Sequence, residues 1–155
     1  MSTLLTAVSM TACGNLIDTT VEGQVGLTLG DDGTIRIMVQ PCTLPIDEVY
    51  VLGPITYENG EGKNSLIFMA SSAEGVSEPF TIDNFDVQPP FVVEASNPLP
   101  TDPEFLLIVN AFVADGNAQA SQASARISQI LALRPGEIIM GSDDAIVTLD
   151  QFLAC

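Results

Sequence analysis

The sequence predicts an all-β domain, an antiparallel β-sandwich of about seven to nine short strands with one or two short helical turns near the C-terminus. Three observations predict it. Several short runs alternate apolar and polar residues at period two, the pattern of a strand buried on one face. Ten prolines and twelve glycines punctuate those runs and leave little room for long helices. The chain has 155 residues, 46% of them apolar, enough for one domain with its own core and too apolar for a disordered chain.

Taken in order, Val21, Gly23, Val25, Leu27 and Leu29 alternate with Glu22, Gln24, Gly26 and Thr28. Gly30-Asp31-Asp32-Gly33 then supplies tight-turn chemistry, and Ile35, Ile37 and Val39 alternate with Arg36, Met38 and Gln40. The pair is a β-hairpin whose second strand stops at Pro41, with Cys42 just beyond. Glu48–Leu52 is apolar on both faces and reads as a central strand ended by Gly53-Pro54. Residues 58–62 read as a loop and Ser65–Ala70 as the strand behind it. Pro79–Phe85 and Phe91–Ala95 are weaker strands among six of the ten prolines, which places them at sheet edges or crossovers. Glu104–Val113 reads as a strand buried on both sides, residues 114–123 as a small-residue loop, and Ser124–Ile127 as a further strand. Glu137–Met140 and Ala145–Val147 are short strands. Ser128 is placed to cap a turn over Gln129–Leu133, stopped by Arg134-Pro135-Gly136, and Thr148 or Asp150 to cap one through Leu153.

Twenty acids face four bases, Arg36, Lys63, Arg126 and Arg134, giving a net charge of −16. Such a chain repels phosphate backbones and has no basic stripe, so nucleic-acid binding is excluded. No stretch reaches the roughly 18–20 apolar residues that span a bilayer as a helix.

The first twelve residues carry a short apolar region, Leu4, Leu5, Ala7, Val8 and Met10, and then small residues that end on Cys13. Met10-Thr11-Ala12-Cys13 resembles a bacterial lipobox, which implies export, removal of residues 1–12 and a diacylglycerol thioether on Cys13. No basic residue precedes the apolar region, the pattern expected if Met1 is internal to a longer leader. Lipidation of Cys13 leaves Cys42 and Cys155, an even pair suited to a disulfide in an oxidising compartment; two free buried thiols are the alternative. Residues 13–20 then read as a lipidated tether and residues 21–155 as the β domain.

Beyond the lipobox, the hairpin from Gly23 to Cys42, the run Ser128 to Ile138 and the closing Thr148 to Cys155 resemble a family of uncharacterised actinobacterial exported lipoproteins. The resemblance implies an immunoglobulin-like sandwich held at the outer face of the cell membrane, and carries over no catalytic residues. This chain departs from the family's pattern in having no tryptophan, with Val109-Asn110-Ala111-Phe112 where aromatics are usual.

The sequence contains no histidine, so Ser-His-Asp and Cys-His arrangements are impossible and the commonest general base is missing. No catalytic residue is assigned. Paired carboxylates at Asp47-Glu48, at Asp83 with Asp86, or at Asp143-Asp144 are the candidates for a glycan-cleaving enzyme. Loop oxygens at Asp31, Asp32, Asp115, Asn117, Asp143 and Asp144 are of the hard type calcium prefers, without the twelve-residue calcium-loop pattern, so they stand as candidate ligand or calcium contacts. Otherwise no cofactor or metal is implied. Tyr57 is expected to be exposed and Tyr50 to lie in the core. The expectation is a non-enzymatic envelope binding or adaptor module for a protein or glycan ligand. Its rivals are a carboxylate enzyme on cell-wall glycans and a structural subunit of an envelope complex; an exposed apolar patch favours the last.

Overall fold

The computed structural model describes residues 19–155, so the expected leader 1–12, Cys13 and the tether through Asp18 lie outside the described residues. Eleven strands form one curled, mixed sheet, and two five-residue helices lie near the C-terminus. Among the described residues no helix is long and apolar enough to cross a membrane.

Strands β1 (Thr20–Leu29) and β2 (Ile35–Gln40) form the expected hairpin, in register from Gln24 opposite Gln40 to Leu29 opposite Ile35. Asp32 organises the turn by accepting from the Thr34 amide at 3.1 Å and its hydroxyl at 2.6 Å. Gly33, at φ +79°, takes the left-handed position. β2 alternates as predicted, with Ile35, Ile37 and Val39 buried between half-buried Arg36 and Met38.

β3 (Ile46–Glu58) and β4 (Glu61–Val76) make a second, longer hairpin. Here the structure corrects two expectations. β3 does not end at Gly53-Pro54 but runs on through a register shift between Leu52 and Ile55. Proline is tolerated there because its pairing with β7 has already stopped at Leu52, and the missing N–H breaks no ladder bond. Residues 58–62 are not an open loop: Glu58 pairs with Glu61 across the two-residue turn Asn59-Gly60, at φ +53° and +85°. Asn-Gly is the pair that tolerates two positive φ values, and its turn twist matches that of the strands.

β5 (Phe80–Asp83) pairs with β2 alone and β6 (Val92–Ser96) with β4 alone, so the proline-rich region supplies edges as expected. β7 (Leu106–Phe112) lies beside β3. Its Leu107, Val109 and Ala111 are fully buried, whereas Leu106, Ile108, Asn110 and Phe112 are only half-buried, because nothing among the described residues covers that side. The expectation of burial on both faces is thereby corrected.

Residues 114–123 contain a strand, β8 (Ala118–Ser121), rather than a plain loop, and β9 (Ala123–Arg126) follows after Gln122. β8 runs parallel to the start of β1, which makes the sheet mixed rather than antiparallel throughout. Next come α1 (Ile127–Leu131), β10 (Glu137–Met140), β11 (Ala145–Thr148) and α2 (Leu149–Leu153). Ser128 is not the cap of α1: Arg126 occupies that position, and the Gln129 side chain accepts from its amide at 2.7 Å. Thr148 caps α2 as expected, and Gln151 closes the capping box.

The register of β1 explains the curl. Gln24 pairs with Gln40 and with Ser121, and Leu27 with Ile37 and with Ile139. β2 therefore occupies one edge of β1, while β8 and then β10 share the other. One arm of the sheet runs β5-β2-β1-β10-β11, and the other passes from β1 through β8, β7, β3 and β4 to β6. Both arms send side chains into one core cluster, Val25, Leu27, Ile37 and Ile82 from the first and Val51, Phe68, Leu107 and Val109 from the second. Each such residue contributes about 1.5–3 kcal/mol by leaving water. The two buried polar residues among those described are satisfied: Thr28 donates to the Glu137 carbonyl at 2.6 Å and Gln40 to that of Leu153 at 2.7 Å.

Candidate functional site

The candidate calcium and ligand residues fall into three separate turns. Asp31 and Asp32 lie between β1 and β2, Asp115 and Asn117 between β7 and β8, and Asp143 and Asp144 between β10 and β11. Asp32 is engaged by Thr34, whose hydrogen bonds hold its carboxyl below the usual aspartate range. Asp115 accepts from the Asn117 amide at 2.9 Å, closing its own turn. Among the described residues no group of three or more acids or cysteines gathers where a metal ion could be held.

The carboxylate pairs do not form a cleft either. Asp47 and Glu48 are neighbours on β3 and so point to opposite faces of the sheet. Asp47 accepts from the Ala114 amide at 2.6 Å. Glu48 accepts from the Tyr50 hydroxyl at 3.2 Å. Asp83 is paired with Arg36, and that hydrogen bond, ahead of any other cause, raises the guanidinium further above its ordinary range. Asp86 turns back on Asp83, its amide donating to the Asp83 carbonyl at 2.9 Å. The carboxylates of Asp47, Glu48 and Asp83 thus have structural partners, in the β7–β8 turn, on β3 itself and on β2 respectively.

Cys42 and Cys155 are joined as a disulfide with their Cα atoms 5.7 Å apart. The bond is one of three ties on the C-terminus. Phe152 is fully buried beneath Gly26, where an added Cβ would stand 2.8 Å from its ring. The side-chain amides of Gln24 and Gln40 donate to the carbonyls of Phe152 and Leu153. Together with Glu22, Gly23 and Ala154, the disulfide lines an open depression of about 240 Å³.

The other notable surface is the uncovered face of β3, β4 and β7. Period-two alternation sends Val49 and Val51 to the core and Tyr50 and Leu52 outward. In register beside Tyr50 stand Asn110 and Met69, and beside Leu52 stand Ile108 and Leu66. Tyr50 also meets Phe112 edge-on, with ring centroids 5.8 Å apart. Tyr50 is thus half-buried on the outer face rather than in the core; burial first, then the neighbouring Glu48 carboxylate, raises its phenol above the usual value. The register shift in β3 keeps Ile55 on the same side as Leu52, and the two line one shallow hollow of about 450 Å³ with Leu106 and Ile108. Farther out Tyr57 is 76% exposed, as expected, and Ile55 54% exposed. Gly62 lies opposite, where an added Cβ would come within 3.1 Å of both.

No family model matches this chain, and neither does any curated protein or solved structure. The apolar face was missed as a site in the sequence because its residues read as core. The usable signal was Asn59-Gly60, which extends both strands past the body of the sheet and leaves Ile55 and Tyr57 exposed on the projecting arm.

Proposed function

We propose that this chain is an exported binding or adaptor module, anchored at the outer face of the cell membrane by a lipid on Cys13, and that it docks a partner rather than turning over a substrate. The Cys42–Cys155 bond is the observation that carries the reading. With those thiols joined, the odd cysteine is Cys13, directly behind Met10-Thr11-Ala12, and a structural disulfide belongs to an oxidising compartment. The resemblance to actinobacterial exported lipoproteins and an immunoglobulin-like sandwich belong to the same proposal. Branching at β1, which wraps two arms of the sheet around one core, supports the sandwich; the parallel β1–β8 pair is its departure from a purely antiparallel plan. The docking role is supported by the uncovered apolar face and by the lack of histidine in the sequence.

Mass spectrometry of the membrane fraction of an expressing actinobacterium tests the address. The expected product starts at Cys13 and carries acyl groups. A chain retaining Met1 and an unmodified Cys13 would overturn the lipoprotein assignment.

A further inference from the structure

We infer that two copies of this chain join edge to edge along the projecting part of β3, antiparallel about a two-fold axis at Thr56. The proposal goes beyond the docking role above and needs no lipid on Cys13. β7 leaves β3 at the Ile108–Leu52 pair, yet β3 runs on to Glu58, so from Gly53 onward no strand lies along that edge among the described residues. In a hairpin closed by a two-residue turn, the residues flanking the turn exchange both backbone hydrogen bonds, and every second pair repeats this. Here those pairs are Glu58 with Glu61 and Thr56 with Lys63. The N–H and C=O groups of Ile55 and Tyr57 therefore point away from β4, to the vacant edge. Such an edge is a template for another strand.

Register makes the second copy the occupant. With Thr56 opposite the partner's Thr56, Ile55 stands opposite the partner's Tyr57, and Tyr57 opposite the partner's Ile55. Both pairs have outward backbone groups on each side, and each pair exchanges two hydrogen bonds across the axis. Pro54 then faces the partner's Glu58 at a pair that exchanges no bond, so its missing N–H costs nothing. The side chains agree. Aromatic lies beside β-branched on one face and threonine beside threonine on the other, both favourable cross-strand pairs. The hollow of about 450 Å³ lined by Leu52, Ile55, Leu106 and Ile108 opens beside the edge that β7 has left, and the partner's Tyr57 arrives at its rim.

The arm's other edge and the charge argue the same way. On β4 the outward groups belong to Gly62 and Asn64, and a two-fold axis there would set Lys63 directly against itself, which opposes pairing. At the β3 edge the acids stay apart: Glu58 meets Pro54, about 13 Å along the strand from the partner's Glu58. The net charge of −16 on each copy then acts as long-range repulsion, which salt screens.

The test uses the full-length chain with Cys13→Ser and its Cys42–Cys155 bond intact. An interface this small makes a weak dimer, so sedimentation equilibrium is followed up to about 1 mM. It should show a monomer–dimer equilibrium that tightens as salt rises. Tyr57→Pro removes an outward N–H without touching the β3–β4 ladder, and Ile55→Asp puts a charge beside the partner's ring. Each should weaken association by about tenfold. Under mild oxidation Thr56→Cys should form a covalent dimer, whereas Lys63→Cys should not. Hydrogen exchange at the Ile55 and Tyr57 amides should slow only at dimer-forming concentrations. A chain that stays monomeric at about 1 mM overturns the proposal. So does a dimer that both variants leave unchanged, that salt dissociates, or that Lys63→Cys traps instead. Amides already slow in the monomer would mean that another segment of this chain fills the edge, and amides slowed only by added peptide or lipid vesicles would mean a different occupant. Either result overturns the proposal as well. None of these arms reads acylation, so their failure leaves the membrane address standing, and an unacylated chain that dimerises leaves this inference standing.

Discussion

Replacing Cys42 and Cys155 together by serine opens a loop of sequence separation 113. In the chain-entropy model, closing a loop of that size restricts the unfolded state by about 4.8 kcal/mol at 25 °C. With a urea slope of about 2 kcal/mol/M, the midpoint of unfolding should fall by about 2.4 M. The folded state offers a way to separate that entropic effect from a local one. α2 is held independently by fully buried Phe152 and by the amides of Gln24 and Gln40, so the serine variant should keep the clasp closed in the absence of urea. Urea titration followed by circular dichroism measures the first quantity, and hydrogen exchange across Leu149–Leu153 the second. A midpoint shift under about 0.5 M would refute the reasoning. So would loss of protection in α2 under native conditions, since the bond would then be holding the folded clasp rather than restricting the unfolded chain.

Phe152→Ala should cost about 3–5 kcal/mol in the same titration, because it empties a fully enclosed position. Gly26→Ala should cost about 1–3 kcal/mol by driving a methyl into Ile138 and Phe152, and the double variant should cost less than the sum. Gly60→Ala, at φ +85° with no neighbour within 4 Å, should cost about 1–2 kcal/mol from backbone conformation alone. Tyr50 is neutral when protonated, and its raised pKa means the fold favours that form. Its contribution to stability is complete below the ordinary value of 10.0 and is lost as pH rises through the raised one. In Tyr57→Phe, which leaves Tyr50 as the sole tyrosine, phenolate absorbance should therefore appear with a midpoint above 10.0, and Glu48→Gln should lower it. A midpoint at or below 10.0 in Tyr57→Phe contradicts the burial described for this ring.

Much of the β structure was legible because it is local. The first hairpin announces itself through alternation and the Gly30–Gly33 turn, and the edge position of β5 and β6 through proline. β8 was not legible: Ala118-Gln119-Ala120-Ser121 has weak strand propensity, and it becomes a strand because β1 and β7 offer pairing on either side. Ser128 was expected to cap α1 from residue type alone, yet the helix begins two residues earlier, where buried Ile127 already packs into the core. The candidate site was hidden for a related reason. Tyr50, Leu52, Leu106 and Ile108 are as apolar as core residues, and strand periodicity marks two faces without saying which of them is covered.

Composition, spacing and turn chemistry by themselves determined an acidic, all-β chain, the first hairpin, the Thr148 cap and an even pair of cysteines beside an odd one. These follow from interactions between residues near one another in sequence, or from counting. Only the tertiary structure decided that β1 divides its far edge between β8 and β10, and that one side of β3 and β7 stays uncovered among the described residues. Each of those depends on which distant strand arrives to satisfy a backbone edge or cover an apolar face, a choice made by the whole sheet together.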